Sequence, residues 1–223
     1  MKVEDVRARL DPFPAHLPPI PRELIPFVVD EAGNEMPRAP RSDGRRRAAA
    51  VLILIYPDAD DEAHIVLTER AEGGHRHAGQ VSLPGGAIDA TDASPEEAAL
   101  REAREEVGLD VEQAGVHVVG VLPVFDVRVS GFLVHPVVAF AEREPVLAKD
   151  GYEVVEIIRA PLAAFLPGAP IETVTAERDG FRLRYGGYQI GRHHVWGATA
   201  MMLGRFGAYI GAPESATRRT GSA

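Results

Sequence analysis

Glu102, Glu105 and Glu106 stand at i, i+3 and i+4 in the run Arg101-Glu102-Ala103-Arg104-Glu105-Glu106. On a helix, all three project from one side within a single turn. Like charges held that close repel, so a fold that keeps them needs something cationic nearby. A hard divalent metal ion, which prefers carboxylate oxygens, is the chemical candidate. A solvated acidic face is the ordinary alternative for such a cluster. The Pro84-Gly85-Gly86 turn and acidic loop upstream favour the metal reading.

The elements that must position these acids are readable nearby. Ser94, Pro95 and Glu97 form a capping box with proline at the first helical position, and Gly108 supplies the stop. At about 100° per residue, Leu100, Ala103 and Val107 make a narrow apolar stripe. The three glutamates are expected roughly opposite it, facing a cleft or solvent. Arg101 and Asp92 are the natural structural pair, tying the acidic loop to the helix.

From Gly86 to Leu109 the chain resembles the Nudix box. Arg101-Glu102, Glu105-Glu106 and Gly108-Leu109 match the box directly. Asp92 stands where the box has a glutamate, the spacer to Arg101 is one residue longer, and Ala103 fills an aliphatic position. Leu67-Thr68-Glu69-Arg70-Ala71 and His77-Ala78-Gly79-Gln80-Val81-Ser82-Leu83-Pro84-Gly85-Gly86 resemble the signature preceding the box in Nudix coenzyme A diphosphatases. Val195-Trp196-Gly197-Ala198-Thr199-Ala200 is similar to a late segment of the same subfamily. Leu83 replaces a usual phenylalanine, Ala98 a common threonine, and His75 an expected arginine, with Arg76 one residue later.

The resemblance implies an α/β (α+β) fold, an α/β/α sandwich with a mixed β-sheet. It implies Mg2+ or Mn2+ held principally by Glu102 and Glu106, with Glu105 a further ligand or a base. A main-chain carbonyl of the Gly85-Gly86 turn would complete the shell. Glu102, Glu105 and Arg101 form the implied catalytic set, with Asp92 in support. The implied substrate is coenzyme A or acyl-CoA. Another nucleoside diphosphate derivative, such as ADP-ribose or NADH, is the runner-up. A non-catalytic nucleotide-binding module of the same fold is the third reading, although such modules often lose box carboxylates.

His75, Arg76 and His77, on a glycine-flanked loop, are candidate donors to substrate phosphates. Arg70 is either a phosphate clamp or a salt-bridge partner of the acidic helix. Glu153 is an outside candidate for the base, with a structural role favoured. His193 and His194 are adjacent, so in extended chain they point in different directions; packing is expected of them rather than a shared metal. Trp196 is expected in the core or docked on a helix rather than as an adenine platform. Arg41, Arg45, Arg46 and Arg47 form a basic cluster that could meet a 3′-phosphate, with a solvated loop the expected reading.

The 223 residues suit one embellished domain with a substantial core. Without cysteine there is no disulfide framework, thiol nucleophile or zinc-cysteine site. A net charge of −9 argues against generic nucleic-acid binding. The longest apolar run, Ala48 to Tyr56, is far short of a membrane span, and Met1 to Leu10 is mixed and charged. The expected setting is therefore cytoplasmic, with no membrane partner. A homodimer is the default assembly.

Residues 1–45 read as a proline-rich extension with a short helix at Val3 to Leu10, 46–210 as the catalytic domain, and 211–223 as a disordered tail. Strands are predicted at Ala49 to Ile55, Ala63 to Thr68, Val116 to Leu122, Leu133 to Phe140 and Val154 to Ile158. Pro136 predicts that Leu133 to Phe140 is an edge or bulged strand. A short helix to Phe165, a hairpin over Glu172 to Tyr185 and a closing helix from Val195 to Phe206 complete the pattern.

Overall fold

The computed structural model describes residues 1–36, 46–71, 79–127, 130–178 and 180–212. His75, Arg76 and His77 lie outside these residues, as do Arg41, Arg45 and all but the first two residues of the 211–223 tail.

Helix α1 (Val3–Arg9) is followed by two short strands, β1 (Phe27–Val29) and β2 (Glu35–Met36). The long strands β3 (Arg47–Pro57) and β4 (Ala63–Arg70) lead to β5 (Val81–Ser82) and β6 (Gly85–Ala87). Helix α2 (Pro95–Val107) and the short α3 (Val111–Ala114) come next. Strands β7 (His117–Val121), β8 (Phe125–Val127), β9 (Phe132–Phe140) and β10 (Val154–Pro161) complete the large sheet. A hairpin of β11 (Glu172–Arg178) and β12 (Phe181–Ile190), then β13 (His193–Trp196) and α4 (Gly197–Ile210), close the described chain.

The large sheet has the order β10-β4-β3-β9-β7, with β5 paired to β4, β6 to β3 and β8 to β9. It is mixed, because β3 runs parallel to β9 and antiparallel to β4. Along β3 the side chains alternate between two buried faces. Leu52, Leu54 and Tyr56 pack with Ala99, Ala103 and Val107 of α2, while Ile53 and Ile55 join Leu203, Phe206 and Ile210 of α4. A strand covered on both faces is a continuous apolar run, which is why Ala49 to Ile55 shows no polar alternation. The smaller sheet, β11-β12-β1-β2 with β13 on β12, lies on the α4 side. The architecture is thus the expected α+β sandwich around a mixed sheet.

Pro136 does not put its strand at an edge. Strand β9 is interior, flanked by β3 and β7, and the proline sits where β7 gives way to β8. Val121 pairs with Val137 and Phe125 with Val134, so three residues between β7 and β8 oppose two of β9. Leu122 N–H donates to the Pro136 carbonyl at 2.8 Å. A missing proline donor is tolerated at such an irregularity.

Candidate active site

The site begins with a turn that only glycine can make. Gly85 has φ +153°, and a Cβ there would lie 2.3 Å from the Ala50 carbonyl oxygen of β3. At Gly86 a Cβ would lie 2.5 Å from Glu102 Oε1. The turn is therefore pressed between the central strand and a carboxylate of α2. Gly85 N–H donates to Glu106 Oε2 at 3.0 Å, fixing the second carboxylate on the same backbone.

Helix α2 starts and ends as its sequence predicts. Glu97 N–H donates to Ser94 Oγ at 3.3 Å. The reciprocal bond of the expected box is absent from Ser94; the Glu97 carboxylate accepts instead from Ala93 N–H, one residue before the cap, at 2.8 Å. Gly108, at φ +63°, donates to the Arg104 carbonyl, and Leu109 N–H to that of Ala103.

The expected stripe packs on the core with Leu100 at its margin, but the common outward direction of the glutamates needs correction. The buried face is Ala99, Ala103, Glu106 and Val107, with Ala98, while Leu100 is only half-buried. These four stand at i, i+4, i+7 and i+8, so Glu106 occupies a core position of the helix. It is 4 % exposed, whereas the side chains of Glu102 and Glu105 are 16 % and 59 % exposed. One turn of helix thus carries three carboxylates in three environments.

Arg101 gathers most of the acidic groups. It forms a bidentate pair with Asp92, at 3.0 Å for each bond, and reaches Glu102 at 2.9 Å and Glu105 at 3.1 Å. It also donates to the Ala87 carbonyl at 3.2 Å. The expected tie between loop and helix is present. The guanidinium beside it holds Asp92 below the usual carboxylate range.

Arg70, at the end of β4, lies 3.7 Å from Glu106 and 3.3 Å from Glu153. It is in reach of the acidic helix as a salt-bridge partner. Glu153 is presented by a loop in which Asp150 accepts from the N–H groups of Tyr152, Glu153 and Val154. The Glu153 carbonyl accepts from Ala71 N–H at 2.8 Å. The sequence signal for this loop is Asp150-Gly151, a turn pair ahead of a strand; its approach to the box is long-range and leaves no local trace.

Electrostatics separates these groups further. Burial pushes Glu106 up to about 7, against the Gly85 hydrogen bond and Arg70, and Glu102 and Glu153 push the same way as burial. Burial also raises Glu102, with Arg101 opposing. Arg70 and Arg101 face Asp92, Glu102, Glu105, Glu106 and Glu153, which leaves the cluster net negative. Hard oxygen ligands, two of them shielded from water beside a glycine turn, fit a divalent cation. Glu102 and Glu106 could hold one, and Glu105 is the carboxylate open to water.

The chain matches the NUDIX domain over residues 45–169. An uncharacterized Nudix hydrolase, NudL, from Cronobacter sakazakii is 39% identical over 177 residues, 78% of this chain and 88% of that protein. Its Enterobacter counterpart is 37% identical over the same shares of each chain. The crystal structure of RenU, a Nudix hydrolase from M. smegmatis, aligns with 62% of this chain and 80% of its own, at 27% identity and a TM-score of 0.45. The domain match and the extent of identity to these relatives show that the chain belongs to the Nudix hydrolases, enzymes that act on diphosphate bonds.

Proposed function

We propose that this hydrolase cleaves the diphosphate of coenzyme A or its thioesters, using Mg2+ or Mn2+ held by Glu102 and Glu106. The observation that carries the chemistry is the Glu102 and Glu106 pair set against the Gly85-Gly86 turn, with Glu106 buried and its charged form disfavoured. Enzymes of this family generally use divalent metal ions. Such an ion offsets the charge of a diphosphate and lowers the pKa of bound water.

The protein's own groups do the rest. Gly85 N–H and Arg70 orient Glu106, and Arg101 fixes Glu102 through a guanidinium itself clamped on Asp92. Glu105 is exposed enough to accept a proton from attacking water, and Arg101 keeps its carboxylate turned toward the cluster. Arg70 doubles as a donor for a substrate phosphate, with His75, Arg76 and His77 assigned the same role from their place ahead of the box. Water adds across the P–O–P bridge, so coenzyme A yields 3′,5′-ADP and 4′-phosphopantetheine, acylated when the substrate is a thioester.

The coenzyme A assignment is supported by Leu67 to Leu83, the Asp92 spacing and the Trp196 segment. A substrate panel with mass-resolved products tests it, comparing coenzyme A, acyl-CoA, ADP-ribose and NADH. Phosphopantetheine as the favoured product supports the assignment. Preferred turnover of ADP-ribose or NADH would overturn the substrate and leave the diphosphate chemistry.

A further inference from the structure

On the other side of the large sheet from α2, a second set of metal-ligating groups comes together that the diphosphate chemistry does not use. Glu156 of β10 lies directly opposite Glu69 of β4, in a pairing set by a register shift between Val154 and Glu156. Like charges directly opposite on neighbouring strands destabilise a sheet. Between them enters His193 of β13, which is 8 % exposed. Its Nε2 is 3.3 Å from Glu156 Oε1 and its Nδ1 is 3.9 Å from Glu69 Oε2.

We propose that Glu69, Glu156 and His193 form a second divalent-cation site, one that takes a borderline transition ion such as Zn2+ or Co2+ in preference to Mg2+. One ligand atom from each residue lies within 4.8 Å of the others. Tetrahedral bonds of about 2.1 Å put ligand atoms roughly 3.4 Å apart, so the Nε2 to Oε1 spacing already fits, while Glu69, which lies 3.9 Å from Nδ1, must turn toward the Nε2 side to join the same ion. An imidazole with two carboxylates is a mixed donor set that suits zinc-like ions, whereas Mg2+ favours oxygen alone. Arg192 bonds Oε2 of Glu156, which holds the carboxylate while Oε1 faces the histidine. Charged outer-shell partners of this kind orient metal-binding carboxylates. The side chains of Glu69 and Glu156 are 25 % and 37 % exposed, giving an ion an entry path and water to complete its shell.

His194 cannot share the ion. Its ring lies 6.1 Å from that of Tyr185, and adjacent residues of a strand point to opposite faces. The histidine pair therefore divides, with only His193 turned to the large sheet. An ion held there would tie β13 of the smaller sheet to β4 and β10 of the larger one. Its place is structural, across β4 from Arg70.

The test separates this site from the box by removing the box first. The metal-free Glu102→Gln/Glu106→Gln protein is titrated with Zn2+ in excess Mg2+, and with Co2+ followed by visible absorption. The expected result is one equivalent of Zn2+ bound, a Co2+ spectrum with nitrogen ligation, and a raised Tm. Adding Glu69→Gln weakens that binding by more than about 10-fold, the lower end of what even outer-shell changes cost at metal sites. His193→Asn abolishes the Co2+ signal, and if that variant fails to fold, Glu69→Gln alone decides. No Zn2+ uptake by the box-disabled protein, or uptake unaffected by Glu69→Gln, overturns the site. The box assignment fails separately, through activity retained in the Glu102→Gln/Glu106→Gln protein.

Discussion

Burying a carboxylate costs free energy unless its charge is met, and Glu106 is met only in part. One hydrogen bond from Gly85 and a longer approach from Arg70 leave its protonation favoured up to about pH 7. Its folded pKa exceeds the ordinary 4.5, so the folded protein binds more protons than the unfolded chain between these values. Stability of the chelator-treated protein should therefore fall as pH rises from about 4.5 to 7 and level off above. Glu106→Gln should remove that slope and stabilise the metal-free protein at pH 8 by about 3 kcal/mol; urea melts across pH read both. A slope of equal size in the variant would mean that another group is responsible. Gly86→Ala should show the opposite balance. The new methyl meets only the tip of Glu102, which can swing aside at little cost in stability. Displacing a ligand by an ångström can lower turnover roughly 100-fold, so kcat should collapse while Tm barely moves.

At the scale of elements, α2 is a rigid bracket whose ends are fixed by sequence-local chemistry. Ser94→Ala removes its N-cap and should cost about 1 kcal/mol, measured by thermal melts, with kcat nearly unchanged because the carboxylates sit beyond the first turn. The cap, the glycine stop and the Arg101 to Asp92 tie were all legible in the sequence, since each depends on residues a few positions apart. The rotation of the helix was not. Leu100 outranks Ala99 in hydrophobicity, so a stripe drawn through it turns Glu106 outward. The fold packs the small Ala98, Ala99 and Ala103 against β3, which admits close approach and draws Glu106 in with them. Of the two outcomes that Pro136 suggested, the irregularity is present and the edge is not. The rule that keeps proline from interior strands assumes a continuous neighbour, and here the neighbour breaks between β7 and β8.

Across the whole molecule, the two buried faces of β3 explain how one sheet serves two purposes. One face receives α2 and sets the glycine turn against its carboxylates, and the other receives α4 and the smaller sheet. Strand positions were readable from apolar runs, but their order was not, because alternation says which face is buried and nothing of the neighbour. That is why the parallel β3 and β9 pairing and the meeting of Glu69, Glu156 and His193 required three dimensions. Among the described residues no helix is long and apolar enough to cross a membrane. Under the proposed function, Glu106 and a divalent ion act together in diphosphate hydrolysis. The most direct test is the initial rate of product formation from coenzyme A for wild type and Glu106→Gln, with Mg2+ and with chelator. Turnover is expected only in wild type with Mg2+, with a loss of more than tenfold in the variant, about 1.4 kcal/mol in the barrier. Turnover that survives both the chelator and Glu106→Gln would contradict it.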